Sequence, residues 1–159
     1  MNRLTLTALV LSSALAISCG KKNSDTDQDS TGMTFPAVSV SCGSGATACG
    51  NNTANAKNSV VLLFSGTPCS TIYSGGAATA LYAGVFVPSC TAGTCTGTVV
   101  SWANQSGATT TMTAGSYTVV GWIDVNANDN PDTGEPISCT EGVAFTDSTA
   151  HALNTWTNY

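Results

Sequence analysis

The chain has 159 residues, of which only 8% are charged, and nine acidic residues against four basic ones leave a net charge of −5. No basic residue follows Lys57, so there is no Lys/Arg stripe to track a phosphate backbone, and nucleic acid is disfavoured as a partner. Seven cysteines beside a single histidine read as disulfides in an oxidising compartment rather than as a zinc site. The competing zinc reading lacks both a C-x-x-C pair and a second histidine.

Arg3 opens a short positive region, and Leu4 to Ile17 is mostly apolar. That run is too short to span a bilayer and is followed by polar sequence, so residues 1–18 are expected to be an export signal. Leu15-Ala16-Ile17-Ser18-Cys19-Gly20 resembles the lipobox of bacterial lipoproteins, with Leu15 one place earlier than that family's usual leucine. The resemblance implies cleavage before Cys19 and acylation of its thiol. The expected location is then the bacterial cell envelope, with the outer membrane as default and the membrane itself as partner through the lipid anchor. The alternative is an ordinary secreted protein in which Cys19 is discarded with the signal. Residues 19–33 carry Asp25, Asp27 and Asp29 among Ser, Thr, Gln and Gly. They are too polar to bury and are expected to form a disordered tether.

Residues 34–159 form one domain by length. Its composition predicts an all-β fold, a single antiparallel β-sandwich stapled by disulfides: short β-branched or aromatic runs alternate with Gly, Pro, Ser and Asn clusters. In chain order the expected strands are Phe35–Cys42, Ser59–Ser65, Ala80–Pro88, Thr96–Ala103, Ser116–Asp124 and Gly142–Thr146, with a further short strand or edge in His151–Trp156. Val60-Val61-Leu62-Leu63-Phe64 would also suit a buried helix, but its β-branched start and the Gly66-Thr67-Pro68 stop favour a strand. Gly75-Gly76-Ala77-Ala78 and Gly107 to Thr111 read as loops, and Thr91-Ala92-Gly93-Thr94 as a hairpin turn. In Ser116–Asp124 neither alternating face is polar, which predicts a central strand buried on both sides.

Six cysteines remain in the domain: Cys42, Cys49, Cys69, Cys90, Cys95 and Cys139. Sequence does not choose among their possible pairings. The preferred set is Cys90–Cys95 across a hairpin, Cys42–Cys49 across a Gly-rich loop, and Cys69–Cys139 as a long-range closure.

Residues 124–135 read Asp-Val-Asn-Ala-Asn-Asp-Asn-Pro-Asp-Thr-Gly-Glu. Like charges this dense repel unless they are solvated or share a cation. Oxygen donors at alternate positions of a tight loop suit Ca²⁺, a hard ion that takes six to eight oxygens. Set on the twelve-position EF-hand calcium loop, Asp124, Asn126, Asn128, Asn130, Asp132 and Glu135 fall at positions 1, 3, 5, 7, 9 and 12, with Glu135 as the expected bidentate closure. Asp129 stands where that loop has glycine and Pro131 where it has an aliphatic residue, and a strand rather than a helix leads in. The alternative is a metal-free turn built from Asx side chains that bond their own backbone. Ala114-Gly115-Ser116-Tyr117-Thr118-Val119, followed by Asp124-Val125-Asn126-Ala127-Asn128 and Asp132-Thr133-Gly134-Glu135-Pro136, is similar to an element of prealbumin-like (transthyretin-like) modules on bacterial surfaces and of small exported domains of unknown function. That resemblance implies a β-sandwich, a metal and a structural or adhesive role.

Nothing in the chain reads as catalytic. His151 has no Gly-x-Ser-x-Gly companion, and it reads as a surface or edge residue. The carboxylates gather in one loop, where calcium would consume them. Trp156 and Tyr159 are the aromatics expected to be exposed and form a weak candidate platform for a ligand, whereas Trp122 reads as core. The functional expectation is a non-enzymatic, lipid-anchored envelope protein with a calcium-stabilised domain. The alternative is an adhesive module that binds glycan or protein through exposed aromatics or the calcium loop.

Overall fold

The computed structural model describes residues 32–43, 49, 59–91, 93–126, 128, 131–147 and 149–159. The export signal, Cys19, nearly all of the tether and Asn130 lie outside these residues. The described chain is mostly β. Its strands are β1 (Met33–Thr34), β2 (Val38–Cys42), β3 (Ser59–Phe64), β4 (Tyr82–Phe86), β5 (Ser89–Thr91), β6 (Thr94–Thr98), β7 (Ser101–Asn104), β8 (Gly107–Thr109), β9 (Thr111–Met112), β10 (Gly115–Trp122), β11 (Pro136–Phe145), β12 (His151–Leu153) and β13 (Thr157–Asn158). A short helix, α1, spans Cys69–Tyr73. Among the described residues no helix is long and apolar enough to cross a membrane.

The strands form a seven-stranded sheet in the order β13-β11-β10-β3-β4-β7-β8, a four-stranded sheet in the order β12-β2-β6-β5, and a β1-β9 ribbon. Pairing is antiparallel except for β12 beside β2. In β2 the pleat turns Val38, Val40 and Cys42 inward and Ser39 and Ser41 outward, the period-two signature of a strand with one buried face. The main core draws on strands of both sheets, including Val38 and Val40 of β2, Val61 and Leu63 of β3, Phe86, Cys95, Val119, Phe145 and Leu153. Each fully buried side chain of this kind contributes about 1.5–3 kcal/mol.

β10 is buried over six consecutive residues, Tyr117 to Trp122. Tyr117 and Val119 enter the main core. Val120 instead joins Phe64, Ile72 and Ile137 in a second cluster. That second cluster is roofed by α1, which Cys69–Cys139 ties to β11. The expectation of a strand with two apolar faces is met because each face has its own core. Gly121 is the narrow point of this strand: a Cβ there would lie 2.8 Å from the Trp156 ring and 3.0 Å from Leu153.

All three preferred cysteine pairs are present: Cys42–Cys49, Cys69–Cys139 and Cys90–Cys95. Four local expectations need correcting. Thr96–Ala103 is not one strand. The chain leaves the four-stranded sheet after Thr98 and enters the seven-stranded one at Ser101, with Val99 N–H donating to Val38 O and Val100 N–H to Val85 O. Gly107 to Thr111 is not a loop, because β8 pairs with β7 and β9 with β1. β11 begins at Pro136, well before the expected Gly142, because Ile137 and Cys139 pair with Trp122 and Val120. The helix at Cys69–Tyr73 was not expected; Ile72, its one buried residue, fastens it to the sheet.

Candidate metal centre

Residues 124–135 connect β10 to β11, its antiparallel neighbour. The sheet ladder runs to the base of this loop, where Ile123 N–H donates to Pro136 O at 3.1 Å. Asp124 follows at once and is fully buried, with 0% exposure, while Glu135 at the other end is 4% exposed. A buried carboxylate survives only where donors or cations surround it.

Glu135 is surrounded by N–H groups. Its Oε2 accepts from Trp122 Nε1 at 2.8 Å and from Asp132 N at 3.0 Å, and its Oε1 accepts from Val125 N at 2.9 Å. A carboxylate offers about four lone-pair sites, so three of them are spent on the protein itself. In this arrangement Glu135, the position where the calcium-loop pattern expects a bidentate ligand, holds the loop to the end of β10. The alternation of β10 sets this up by turning Trp122 toward the loop while Gly121 and Val119 face the main core.

The remaining oxygens gather around Asn128 and Asn126. Asn128 N–H lies 3.3 Å from Asp124 Oδ1 and 3.1 Å from Asn126 Oδ1. Asp132 Oδ2 accepts from Asn126 Nδ2 at 2.7 Å and from Asn128 Nδ2 at 2.6 Å. These two amides hold the Asp132 carboxyl below the usual aspartate range. The structure thus brings Asp124, Asn126, Asn128 and Asp132 together, as their alternate spacing predicts, with Glu135 behind them. Among the described residues, no three His, Cys, Asp or Glu side chains converge closely enough to hold a metal by themselves. Any cation shell here draws on the asparagine amides as well. A half-turn of each side-chain amide would exchange its oxygen and nitrogen and turn the donors that now reach Asp132 into acceptors.

Tyr159 closes the back of the loop through its backbone. Gly134 N–H donates to Tyr159 O at 2.9 Å and Tyr159 N–H to Glu135 O at 2.8 Å. Its ring lines a small apolar cavity with Leu62, Phe64, Ile72, Trp122 and Pro131. Sequence reasoning missed both Trp122 and Tyr159 as loop supports. Trp122 is two residues before Asp124 and shares its side of the pleat, a usable signal. The Tyr159 contacts are backbone bonds and leave no trace in side-chain pattern.

Trp156 is not exposed. It is buried to 7% exposure because the bare Gly121 backbone leaves room for its ring, and its Nε1 donates to Leu153 O at 3.2 Å. The pairing of Trp156 with Tyr159 as a surface platform therefore fails on geometry. Trp102 is half-buried with both faces covered. One lies on Gly84, where a Cβ would stand 2.8 Å from the ring, and the other stacks on Phe35 at 4.5 Å and 7°. His151 sits in edge strand β12, half-buried, with its ring 4.4 Å from that of Phe145.

Comparison with known proteins yields no match to a family model, to a curated protein or to a solved structure.

Proposed function

We propose that this chain is a non-enzymatic lipoprotein of the bacterial envelope. Acylated Cys19 and a polar tether carry a prealbumin-like β-sandwich whose β10–β11 end is stiffened by Ca²⁺. The lipobox resemblance supports the anchor. The sandwich reading is supported by a core shared between strands of two sheets. It is supported too by the Tyr117 hydroxyl, which donates to Thr113 O at 2.6 Å, a bond from a strand start back to upstream backbone like that found at the corners of Greek-key sandwiches.

The observation that carries the calcium reading is the convergence of Asp124, Asn126, Asn128 and Asp132 on one small volume at the sheet end. Asp124, Asp132 and the amide oxygens would hold the ion, and Glu135 would keep the loop in register beneath them. The role of such an ion is mechanical. It binds the folded loop and not the unfolded chain, so it raises stability by RT ln(1 + [L]/Kd). With the 10⁻⁴–10⁻³ M affinities of extracellular modules, 1 mM calcium adds about 0.4–1.4 kcal/mol.

Calorimetric unfolding of the oxidised protein in calcium and then in EGTA, beside Asp124→Ala, tests this. Calcium is expected to raise the melting temperature of the parent and not of the variant. An identical trace in calcium and EGTA would sink the metal reading and leave an Asx-rich turn.

A further inference from the structure

Four of the six domain cysteines meet at one end of the four-stranded sheet. Cys95 on β6 lies directly opposite Cys42 on β2. It also lies directly opposite Cys90 on β5. Residues directly opposed in an antiparallel pair point to the same face; Cα atoms of such pairs are about 4.5–5.5 Å apart, a separation a disulfide can bridge, and those of the bonded pair Cys90 and Cys95 lie 4.0 Å apart. Cys95 is therefore placed to bond either neighbour. Cys49 is also at hand, its carbonyl oxygen 4.0 Å from Cys95 Sγ. Three of the four are buried, with Cys42, Cys49 and Cys95 exposed by 0%, 1% and 2%. Cys90 is only half-buried, which makes it the point of entry. Cys69–Cys139 stands apart, joining α1 to β11 of the other sheet.

We propose that these four cysteines form an internal thiol–disulfide exchange cluster with Cys95 as its hub, convertible from Cys42–Cys49 plus Cys90–Cys95 to Cys42–Cys95 plus Cys49–Cys90. The initiating reagent is a small-molecule thiol. Its thiolate attacks Cys90 Sγ, the Cys90–Cys95 bond breaks, and Cys95 leaves as a thiolate. Cys95 attacks Cys42 Sγ, forms Cys42–Cys95 and expels the Cys49 thiolate. Cys49 then attacks Cys90 Sγ, forms Cys49–Cys90 and releases the small thiol. Two disulfides enter and two leave, with no net oxidation, and the thiol is regenerated. The first isomer ties residues near in sequence. The second stitches β2 to β6 across the sheet, so exchange moves the links from local turns to the sheet itself.

Lys57 provides the readout. It is the only tryptic site beyond Lys22, and it separates Cys42 and Cys49 from the other domain cysteines. The full chain carrying Cys19→Ser, fully oxidised, is incubated with catalytic reduced glutathione, alkylated, denatured, cut with trypsin and weighed without reduction. In the starting isomer the fragments on either side of Lys57 separate. After exchange they stay covalently joined, at unchanged total mass and with Cys69–Cys139 intact. A rising joined fraction is the expected result, and complete separation in every glutathione-treated sample overturns the proposal. Cys49→Ser/Cys90→Ser gives a second reading. Cys42 and Cys95 are expected to bond each other and resist alkylation under denaturant, and two alkylated thiols in the folded variant would count against the cluster.

Discussion

Glu135→Gln isolates what the buried carboxylate does for the loop. The native side chain accepts three N–H bonds, from Trp122, Val125 and Asp132. Hydrogen bonds to a charged group contribute about 1.5–3 kcal/mol each, against about 0.5–1.5 for neutral ones. The amide keeps one oxygen. Its better orientation leaves that oxygen at the Oε2 position, between Trp122 Nε1 and Asp132 N, and turns the NH₂ toward Val125 N–H. Two bonds then lose their charge assistance, about 1 kcal/mol each, and a third is lost at a half-buried site where water partly replaces it. The expected cost is about 2–3 kcal/mol. Glu135→Ala also strands the buried Trp122 N–H, and about 4 kcal/mol is expected. For a domain of this size that makes Glu135→Gln melt about 10 °C lower. The assay is thermal unfolding in EGTA, followed by near-ultraviolet dichroism, so that no metal contributes. Because these partners are protein groups, the loss should persist without calcium. A Glu135→Gln variant within about 0.5 kcal/mol of the parent would refute the reasoning, since solvent would then already serve the same donors.

Gly84→Ala places a Cβ 2.6 Å from Val99 Cγ1 and 2.8 Å from the Trp102 ring. It should cost about 1–3 kcal/mol by overpacking, and an unchanged urea midpoint would show that the Phe35–Trp102 stack shifts freely. Removing Cys69–Cys139, which closes a separation of 70 residues, should cost about 3–4 kcal/mol through the gain in unfolded-state entropy. Denaturant unfolding of Cys69→Ser/Cys139→Ser checks this, and a loss below about 1 kcal/mol would contradict it. Asp132 has a folded pKa below its ordinary 3.8, so its bonds to Asn126 and Asn128 stabilise at neutral pH. That contribution fades as pH falls below the ordinary value and through the lower folded one. A carboxyl titration by NMR should place Asp132 below free aspartate, and a midpoint at or above 3.8 would show that the amides do not grip it.

Much of the architecture was legible because it follows from period-two alternation and punctuation. The β2, β3 and β10 segments declare themselves, and short cysteine spacings suggested Cys42–Cys49 and Cys90–Cys95, which left Cys69 for Cys139. What stayed hidden depends on partners distant in sequence. Val99 and Val100 carry no turn signal, yet there the chain changes sheets. Gly107 to Thr111 looks like a loop until β7 and β1 supply edges for it to pair with. In the loop at 124–135, alternate spacing correctly gathered Asp124, Asn126, Asn128 and Asp132. The hydrogen bonds of Glu135 stayed hidden because they come from the Trp122 indole and two backbone N–H groups, none of which belongs to the calcium-loop pattern. Trp156 looked exposed because its pocket is the absence of a side chain at Gly121.

The segment from His151 to Tyr159 enters both sheets in turn: β12 lies beside β2 and β13 beside β11, with Trp156 driven into the core between them. A chain that emerges from a ribosome or a pore N-terminus first thus presents β2 and β11 with open edges until this stretch arrives. Closure couples residues more than a hundred positions apart, a contact of the slow, non-local kind. Until then the exposed edges are open to pairing with other chains. Completion of the fold is therefore a timed event, set by when nine late residues become available, and the protein must be kept from its neighbours for as long as that takes.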